Sequence, residues 1–142
     1  MSKIVTVKDD LKGDLNLASD KIFYVLDNGT DIIVSYDNGK KIGRNRKVDS
    51  IASDSSNTYA TIAAFIANTT GLVSFTPLGD LESYDGLAIN YKHIVNLVPN
   101  GSDTDVHINN LNQRPFIFTV DGNVAAITAA IEAQRNADVV NV

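Results

Sequence analysis

The fold is decided by residues 20–36, DKIFYVLDNGTDIIVSY, in which Asn28-Gly29 separates two runs of β-branched and aromatic residues. Asn-Gly between such runs is the strongest local signal for a β-hairpin, because both central positions of a type I′ turn need a positive φ. A two-residue turn here pairs Val25 with Ile32 across the hairpin. Since side chains alternate along a strand, one face then carries four apolar side chains, and we predict that they lie in the core. They are Phe23, Val25, Ile32 and Val34.

The opposite face of the same hairpin is also apolar. It carries Ile22, Tyr24, Leu26 and Ile33. A hairpin that is apolar on both faces has to be covered on both sides. One interpretation is that the hairpin forms the middle of a two-layer core. The functional prediction is that these four side chains form a partner interface, buried against another subunit.

Composition bounds the possible classes of protein. The chain has 142 residues, enough to bury a single core, and its formal net charge is −5. An acidic chain is expected to be soluble and to have no general affinity for nucleic acid or anionic membranes. Because the chain contains no cysteine, it has no disulfide, zinc-thiolate site or thiol nucleophile. We predict neither a signal peptide nor a transmembrane segment.

The pattern of the first hairpin returns in the second half of the chain. Ile22 aligns with Ile94, and the alignment continues when two residues are added to the second turn. The second hairpin then pairs Val95 with Ile108 and Leu97 with Val106, which gives the same arrangement of core residues. We therefore predict an internal repeat.

A helix is expected after each set of strands. Residues 58–68 and the segment that begins at Val124 both carry apolar side chains at helical spacing, and residues 136–142 read as a frayed end. The predicted fold class is α+β, with two tandem antiparallel β-meander-plus-helix units that form one pseudo-symmetric domain. The units are residues 1–79 and 80–142, packed as one compact body.

A cluster of basic residues follows the first hairpin. Lys40 begins a weak strand after a turn at Asn38-Gly39, and this turn would place Arg46 opposite Asp31. One interpretation is a charged edge strand that prevents aggregation. The other is an anion- or partner-binding strip. Its residues are Lys40, Lys41, Arg44, Arg46 and Lys47.

The sequence contains no recognisable catalytic or cofactor motif. It has no G-x-S-x-G, P-loop, HExxH or GxGxxG pattern. The two histidines, His93 and His107, are expected to point to opposite faces of the second hairpin, so they do not form a shared site. We predict a protein that is not an enzyme and that needs neither a cofactor nor a metal.

The first third of the chain resembles small β-rich proteins encoded by phages near their capsid genes. The shared residues are Leu15, Leu17, Asp20, Ile22, Thr30, Ile32, Val34, Tyr36 and Gly39. This resemblance implies a non-enzymatic virion structural protein, such as a capsid-associated or decoration subunit. Its partner would be a capsid protein, another virion protein or a second copy of itself. It would be located in the virion or in the cytoplasm of the infected host.

The order of strands followed by one helix, repeated twice, is also similar to the Whirly and PUR-type folds. Proteins of those families bind single-stranded nucleic acid through basic and aromatic residues on a sheet face. The alternative function is therefore single-stranded nucleic-acid binding through the basic strip. Tyr24 and Tyr36 would then offer surfaces for base stacking.

Overall fold

The structure is a computed structural model that describes residues 3–9, 13–29, 31–37, 46–47, 51–52, 61–109 and 116–141. These residues form antiparallel strands, two α-helices and short 3₁₀ turns, which confirms the α+β class. The strands are β1 (Ile4–Asp9), β2 (Gly13–Ala18), β3 (Ile22–Asp27), β4 (Asp31–Tyr36), β5 (Arg46–Lys47), β6 (Ile51–Ala52), β7 (Leu72–Phe75), β8 (Gly86–Asn90), β9 (Ile94–Asn100), β10 (Asp103–Ile108) and β11 (Phe116–Val120). The helices are α1 (Ile62–Asn68) and α2 (Val124–Asn141).

The central sheet is built from both halves of the chain. Its strand order is β5-β4-β3-β8-β7, and β6 also pairs with β4. The junction is the β3–β8 pair, in which Tyr24 lies opposite Ile89 and Val25 lies opposite Ala88. The remaining strands form a two-stranded sheet, β1-β2, and a three-stranded sheet, β11-β10-β9. The predicted units therefore share one sheet.

Two hydrophobic clusters lie on opposite faces of the central sheet. One cluster packs Val25 and Val34 against Phe65 of α1 and Val5 of β1. The other cluster fills the space between the central sheet, the three-stranded sheet and α2. Its main members are Phe23, Tyr24, Leu26, Val73, Phe75, Leu87, Ile89, Val106, Ile108, Phe118, Val120 and Ile127. The first hairpin is thus covered on both faces by its own chain.

The predicted register of the first hairpin is wrong by two residues. Val25 pairs with Val34, and Asp27 pairs with Ile32, so the connection is longer than a two-residue turn. The side chain of Asp27 accepts a hydrogen bond of 2.9 Å from the backbone N–H of Gly29, whose φ is 92°. An aspartate that bonds its own backbone two residues on stabilises a wider turn. A shift of two residues keeps every side chain on its predicted face.

A β-bulge at Phe23 changes the faces at the start of β3. Ile22 pairs with Tyr36 and Tyr24 pairs with Ser35, so the intervening residue has no partner of its own on β4. As a result, Ile22 and Phe23 exchange the faces that strict alternation predicts. Ile22 packs in the cluster beneath α1, whereas Phe23 packs towards the three-stranded sheet.

The second hairpin confirms most of its predicted register. Leu97 pairs with Val106 as expected, but Ile108 pairs with Ile94 because Val95 forms a bulge. Every pair between β3 and β4 has a counterpart between β9 and β10, 72 residues further along the chain. The two-residue insertion in the predicted alignment is therefore wrong.

Two further features recur at the same separation of 72 residues. The bulges lie at Phe23 and Val95, and the strands that carry them follow the 3₁₀ turns Ser19–Lys21 and Tyr91–His93. These coincidences support the internal repeat. The pseudo-symmetric arrangement and the division into residues 1–79 and 80–142 stay predictions.

The helices differ from their predicted bounds. Within the described residues α1 begins at Ile62, where the Thr61 hydroxyl accepts a hydrogen bond of 3.1 Å from the Ala64 N–H and so caps the helix. Residues 58–60 of the predicted helix lie outside the described residues. The predicted fraying after residue 136 is wrong, because α2 continues to Asn141 and carries a buried aspartate, Asp138, in its last turns.

Candidate functional site

The four side chains of the predicted partner interface are covered by the chain itself. Tyr24 and Leu26 are buried against the three-stranded sheet, and Ile33 packs against the same cluster. Ile22 is buried on the other face, beneath α1. These residues therefore form a two-layer core rather than an open contact face, because the second half of the chain supplies the cover.

Aromatic contacts fix Tyr24 in this core. Its ring lies edge-on to Phe118 at a centroid distance of 4.9 Å and stacks on Phe116 at 5.6 Å. Aromatic pairs at these distances stabilise a core beyond the area that they bury. The Tyr24 ring is consequently unavailable for stacking with a base.

Only part of the basic strip lies in the described residues. Arg46 and Lys47 form β5, which pairs with Tyr36 and Ser35 of β4. The predicted position of Arg46 opposite Asp31 is wrong, because the connection between β4 and β5 is longer than a two-residue turn. Lys40, Lys41 and Arg44 lie outside the described residues.

The three-stranded sheet turns one face away from the core, and we call this face the outer sheet surface. Ile117 lies opposite His107, and His107 lies opposite Asn96, so these side chains form one row across the three strands. Ile117 is 50 % exposed, whereas the preceding residue, Phe116, faces the core side of the sheet, where its ring stacks on Tyr24. An exposed aliphatic side chain on a sheet face offers apolar surface that a partner protein can bury.

The next row of the outer sheet surface is acidic. Asp105 accepts hydrogen bonds from the Thr119 hydroxyl at 2.7 Å and from the Asn100 side-chain amide at 3.1 Å. These two bonds stabilise the carboxylate and lower the pKa of Asp105. The outer sheet surface therefore presents the exposed apolar side chain of Ile117 beside a fixed negative charge.

Strands at the ends of the sheets have a neighbour on one side only among the described strands, and β9 and β2 are two of them. β9 pairs with β10 alone, and β2 pairs with β1 alone. An unpaired edge offers a row of backbone donors and acceptors to another strand. The large apolar side chains Val95 on β9 and Ile4 on β1 are exposed close to these edges.

The sequence analysis missed the buried carboxylate of Asp138. Its Oδ2 accepts hydrogen bonds from the Gly71 backbone N–H at 2.9 Å and from the Tyr91 hydroxyl at 2.7 Å, and its Oδ1 accepts one from Gln134 at 2.9 Å. Burial of the Tyr91 side chain, its hydrogen bond to Asp138 and the negative charge of that carboxylate raise the pKa of Tyr91 to about 12. The arrangement fastens α2 to the β7–β8 hairpin. The sequence signal for this contact was the four-residue spacing of Gln134 and Asp138, which makes the two side chains neighbours on a helix.

Two open cavities adjoin α1. A polar cavity of about 410 Å³ lies beside Asp138, where Lys3, Thr69 and Thr70 line it. A more apolar cavity of about 510 Å³ lies between α1 and the β7–β8 hairpin, with Asp27 and Asp85 at its wall.

The two histidines have separate structural roles. His93 lies in a 3₁₀ turn, where its Nε2 is 2.7 Å from the carbonyl oxygen of Asp20 and its ring meets Phe23 edge-on. His107 lies on the outer sheet surface. Within the described residues, no group of three or more His, Asp or Glu side chains is placed to hold a metal ion.

The chain matches no known protein-family model, and comparison with curated proteins and with solved structures gives no significant match. Neither helix in the described part of the chain has both the length and the apolar character needed to cross a membrane.

Proposed function

We propose that this protein is a non-enzymatic structural subunit that acts through protein–protein contacts. The observation that carries the proposal is the exposed side chain of Ile117 on the outer sheet surface. An exposed aliphatic side chain of this kind can lie in the central part of an interface, where it excludes water on binding. The resemblance of the first third of the chain to phage proteins identifies the proposed partner as a phage capsid.

The polar arrangement of the described residues supports the same proposal. Asp138 accepts three hydrogen bonds, and the Tyr91 hydroxyl that it holds is kept in its neutral form. Groups that are fully hydrogen-bonded in this way hold elements together and do not provide an activated base or nucleophile.

The alternative of single-stranded nucleic-acid binding has less support. Those folds bind through cations and aromatic rings on an open sheet face. Here the outer sheet surface carries Asp103 and Asp105, and both faces of the first hairpin are covered. A phosphate backbone would be repelled by these carboxylates.

The proposal is tested by replacing Ile117 with aspartate. We expect the Ile117→Asp variant to fold normally, because the side chain already faces solvent, and to lose at least tenfold in affinity for purified particles of the phage that encodes the chain. Burying a carboxylate in an apolar contact is unfavourable. Co-sedimentation of the added protein with the particles measures this loss.

Val139→Asp is the matched control. Val139 is 78 % exposed and belongs to α2, which is not part of the outer sheet surface. It should sediment with the particles as the wild-type protein does. Equal binding by the Ile117→Asp variant and the wild-type protein would contradict the proposal that the outer sheet surface is the contact.

A further inference from the structure

The central sheet consists of two parts that meet at the β3–β8 pair. The first part is the three-stranded arrangement β5-β4-β3, and the second is the hairpin β8-β7. At the junction Tyr24 lies opposite Ile89 and Val25 lies opposite Ala88. The edge strand β3 of the three-stranded part is therefore paired with β8 of a two-stranded hairpin from the other half of the chain. We call this pairing the closed junction.

The other two sheets contain the same two parts, but unjoined. The three-stranded sheet β11-β10-β9 repeats the register of β4 and β3 72 residues further along the chain. The β1-β2 hairpin has a register equivalent to that of the β7-β8 hairpin. Ile4 pairs with Ala18 at the end of the first hairpin, and Leu72 pairs with Asn90 at the end of the second. Among the described strands, neither of these two sheets has the neighbour that its counterpart has.

We propose that β9 of one copy pairs with β2 of a second copy, as β3 pairs with β8 within the chain. The same separation of 72 residues fixes the register. Asn96 would lie opposite Leu17 of the second copy, and Leu97 would lie opposite Asn16 of the second copy. The result is a five-stranded sheet, β11-β10-β9-β2-β1, shared by two molecules. The inference rests on the proposed function, and it names the chain itself as a partner.

Two exposed apolar side chains support this pairing. Ile4 is 65 % exposed, whereas its counterpart Leu72 is 1 % exposed beneath α1. Val95 is 61 % exposed, whereas its counterpart Phe23 is 1 % exposed and packs on His93 at a ring distance of 4.7 Å. In both cases the buried member belongs to the joined sheet and the exposed member belongs to an unjoined one. Pairing of two copies would cover Ile4 and Val95 and bury their apolar surface.

The chemistry of the β9 edge is compatible with the pairing. Pro99 is the counterpart of Asp27, and a proline cannot donate a backbone hydrogen bond. At the closed junction the carbonyl oxygen of Asp27 accepts a hydrogen bond from the Asp85 N–H at 2.9 Å. Pro99 keeps its carbonyl oxygen, so it can accept the corresponding bond.

The contact is heterologous, because β9 of one copy meets β2 of the next. A contact of this kind leaves one free edge at each end of an open oligomer. It produces a closed ring if the rotation between copies closes and a filament if it does not. Both outcomes are suitable for a subunit that covers or lines a symmetric particle.

Disulfide trapping tests the register directly, because the natural chain contains no cysteine. Leu97→Cys and Asn16→Cys proteins, carrying tags of different mass, are mixed and oxidised. Directly opposed residues on antiparallel strands have Cα atoms about 5 Å apart, which is within the range of a disulfide. We expect a mixed dimer joined through these two positions, with at least tenfold higher yield than in the control mixture.

The control mixture contains Asn100→Cys and Asn16→Cys proteins. Residue 100 lies three positions along β9 from residue 97, and three positions correspond to about 10 Å, beyond the reach of a disulfide. Equal yields in the two mixtures would overturn the inference.

Light scattering on the wild-type protein provides a second measurement that needs no substitution. We expect a mass above that of one 15.3 kDa chain, rising with concentration. A single-chain mass at every concentration would also overturn the inference. Particle binding that survives such a result would leave the proposed function intact, because its test depends on Ile117. Trapped dimers that fail to bind particles would count against the proposed function alone.

Discussion

Replacing Asp138 with alanine is expected to lower the free energy of unfolding by about 3 kcal/mol. The substitution leaves the Gly71 N–H and the Tyr91 hydroxyl without the carboxylate that accepts their hydrogen bonds. Hydrogen bonds to a charged group contribute about 1.5–3 kcal/mol each, and a buried donor without an acceptor adds its desolvation cost. Chemical denaturation followed by circular dichroism measures the change.

Glu132→Ala is the matched control for this prediction. Glu132 lies on the same helix, where its exposed carboxylate is 3.2 Å from Arg135. Exposed pairs of this kind contribute little to stability, so we expect a loss below about 0.5 kcal/mol. Similar losses in the two variants would contradict the role assigned to Asp138.

The Asp138 contact also predicts a pH dependence. Because the folded protein raises the pKa of Tyr91 from 10.0 to about 12, the neutral hydroxyl stabilises the folded state at every pH below 10. This contribution is lost as the pH rises from 10 to 12, since unfolding then releases a proton. In the Asp138→Ala variant the pKa of Tyr91 should fall, and stability should vary less over this range. An unchanged pH profile would argue against the contact.

Gly71→Ala is expected to destabilise the fold by about 3 kcal/mol or more, from two separate causes. Gly71 has a φ of 96°, a conformation that costs an L-residue about 1–2 kcal/mol. A Cβ atom built there lies 2.5 Å from Oδ1 of Asn90. Asn90 is buried, and its amide donates hydrogen bonds to the carbonyl oxygens of Ser19 and Ile22, so it cannot move aside without breaking them.

Gly79→Ala separates the two causes. Gly79 has a φ of 65°, but no atom lies within 4 Å of the Cβ that would be added. This variant should therefore show the backbone cost alone, about 1–2 kcal/mol. Thermal unfolding of both variants measures the difference. Equal losses would show that the contact with Asn90 has no energetic consequence.

Local sequence patterns predicted part of this fold. Alternation of apolar residues predicted the paired strands β3-β4 and β9-β10, and the apolar side chains Ile62, Phe65 and Ile66 at helical spacing predicted α1. The errors in the predicted registers arose at one turn and at two β-bulges. The Asp27 side chain widens a turn that Asn-Gly alone would make short, and bulges at Phe23 and Val95 interrupt the alternation.

The candidate surfaces could be predicted only in part. The sequence showed that both faces of the first hairpin need a cover, but not that Phe118 and Val106 supply one of them from the other half of the chain. Contacts between residues so far apart leave no periodic signal in the chain. The exposure of Ile117 is identifiable only once the packing of β11 is known.

The central claim is that the chain is a structural subunit of a phage particle, and its copy number in purified particles tests this most directly. Quantitative mass spectrometry of gradient-purified particles of the encoding phage gives the ratio of this chain to the major capsid protein. We expect the same fixed ratio in independent preparations and after a high-salt wash, since apolar contacts resist salt. Absence of the chain from washed particles would contradict the claim.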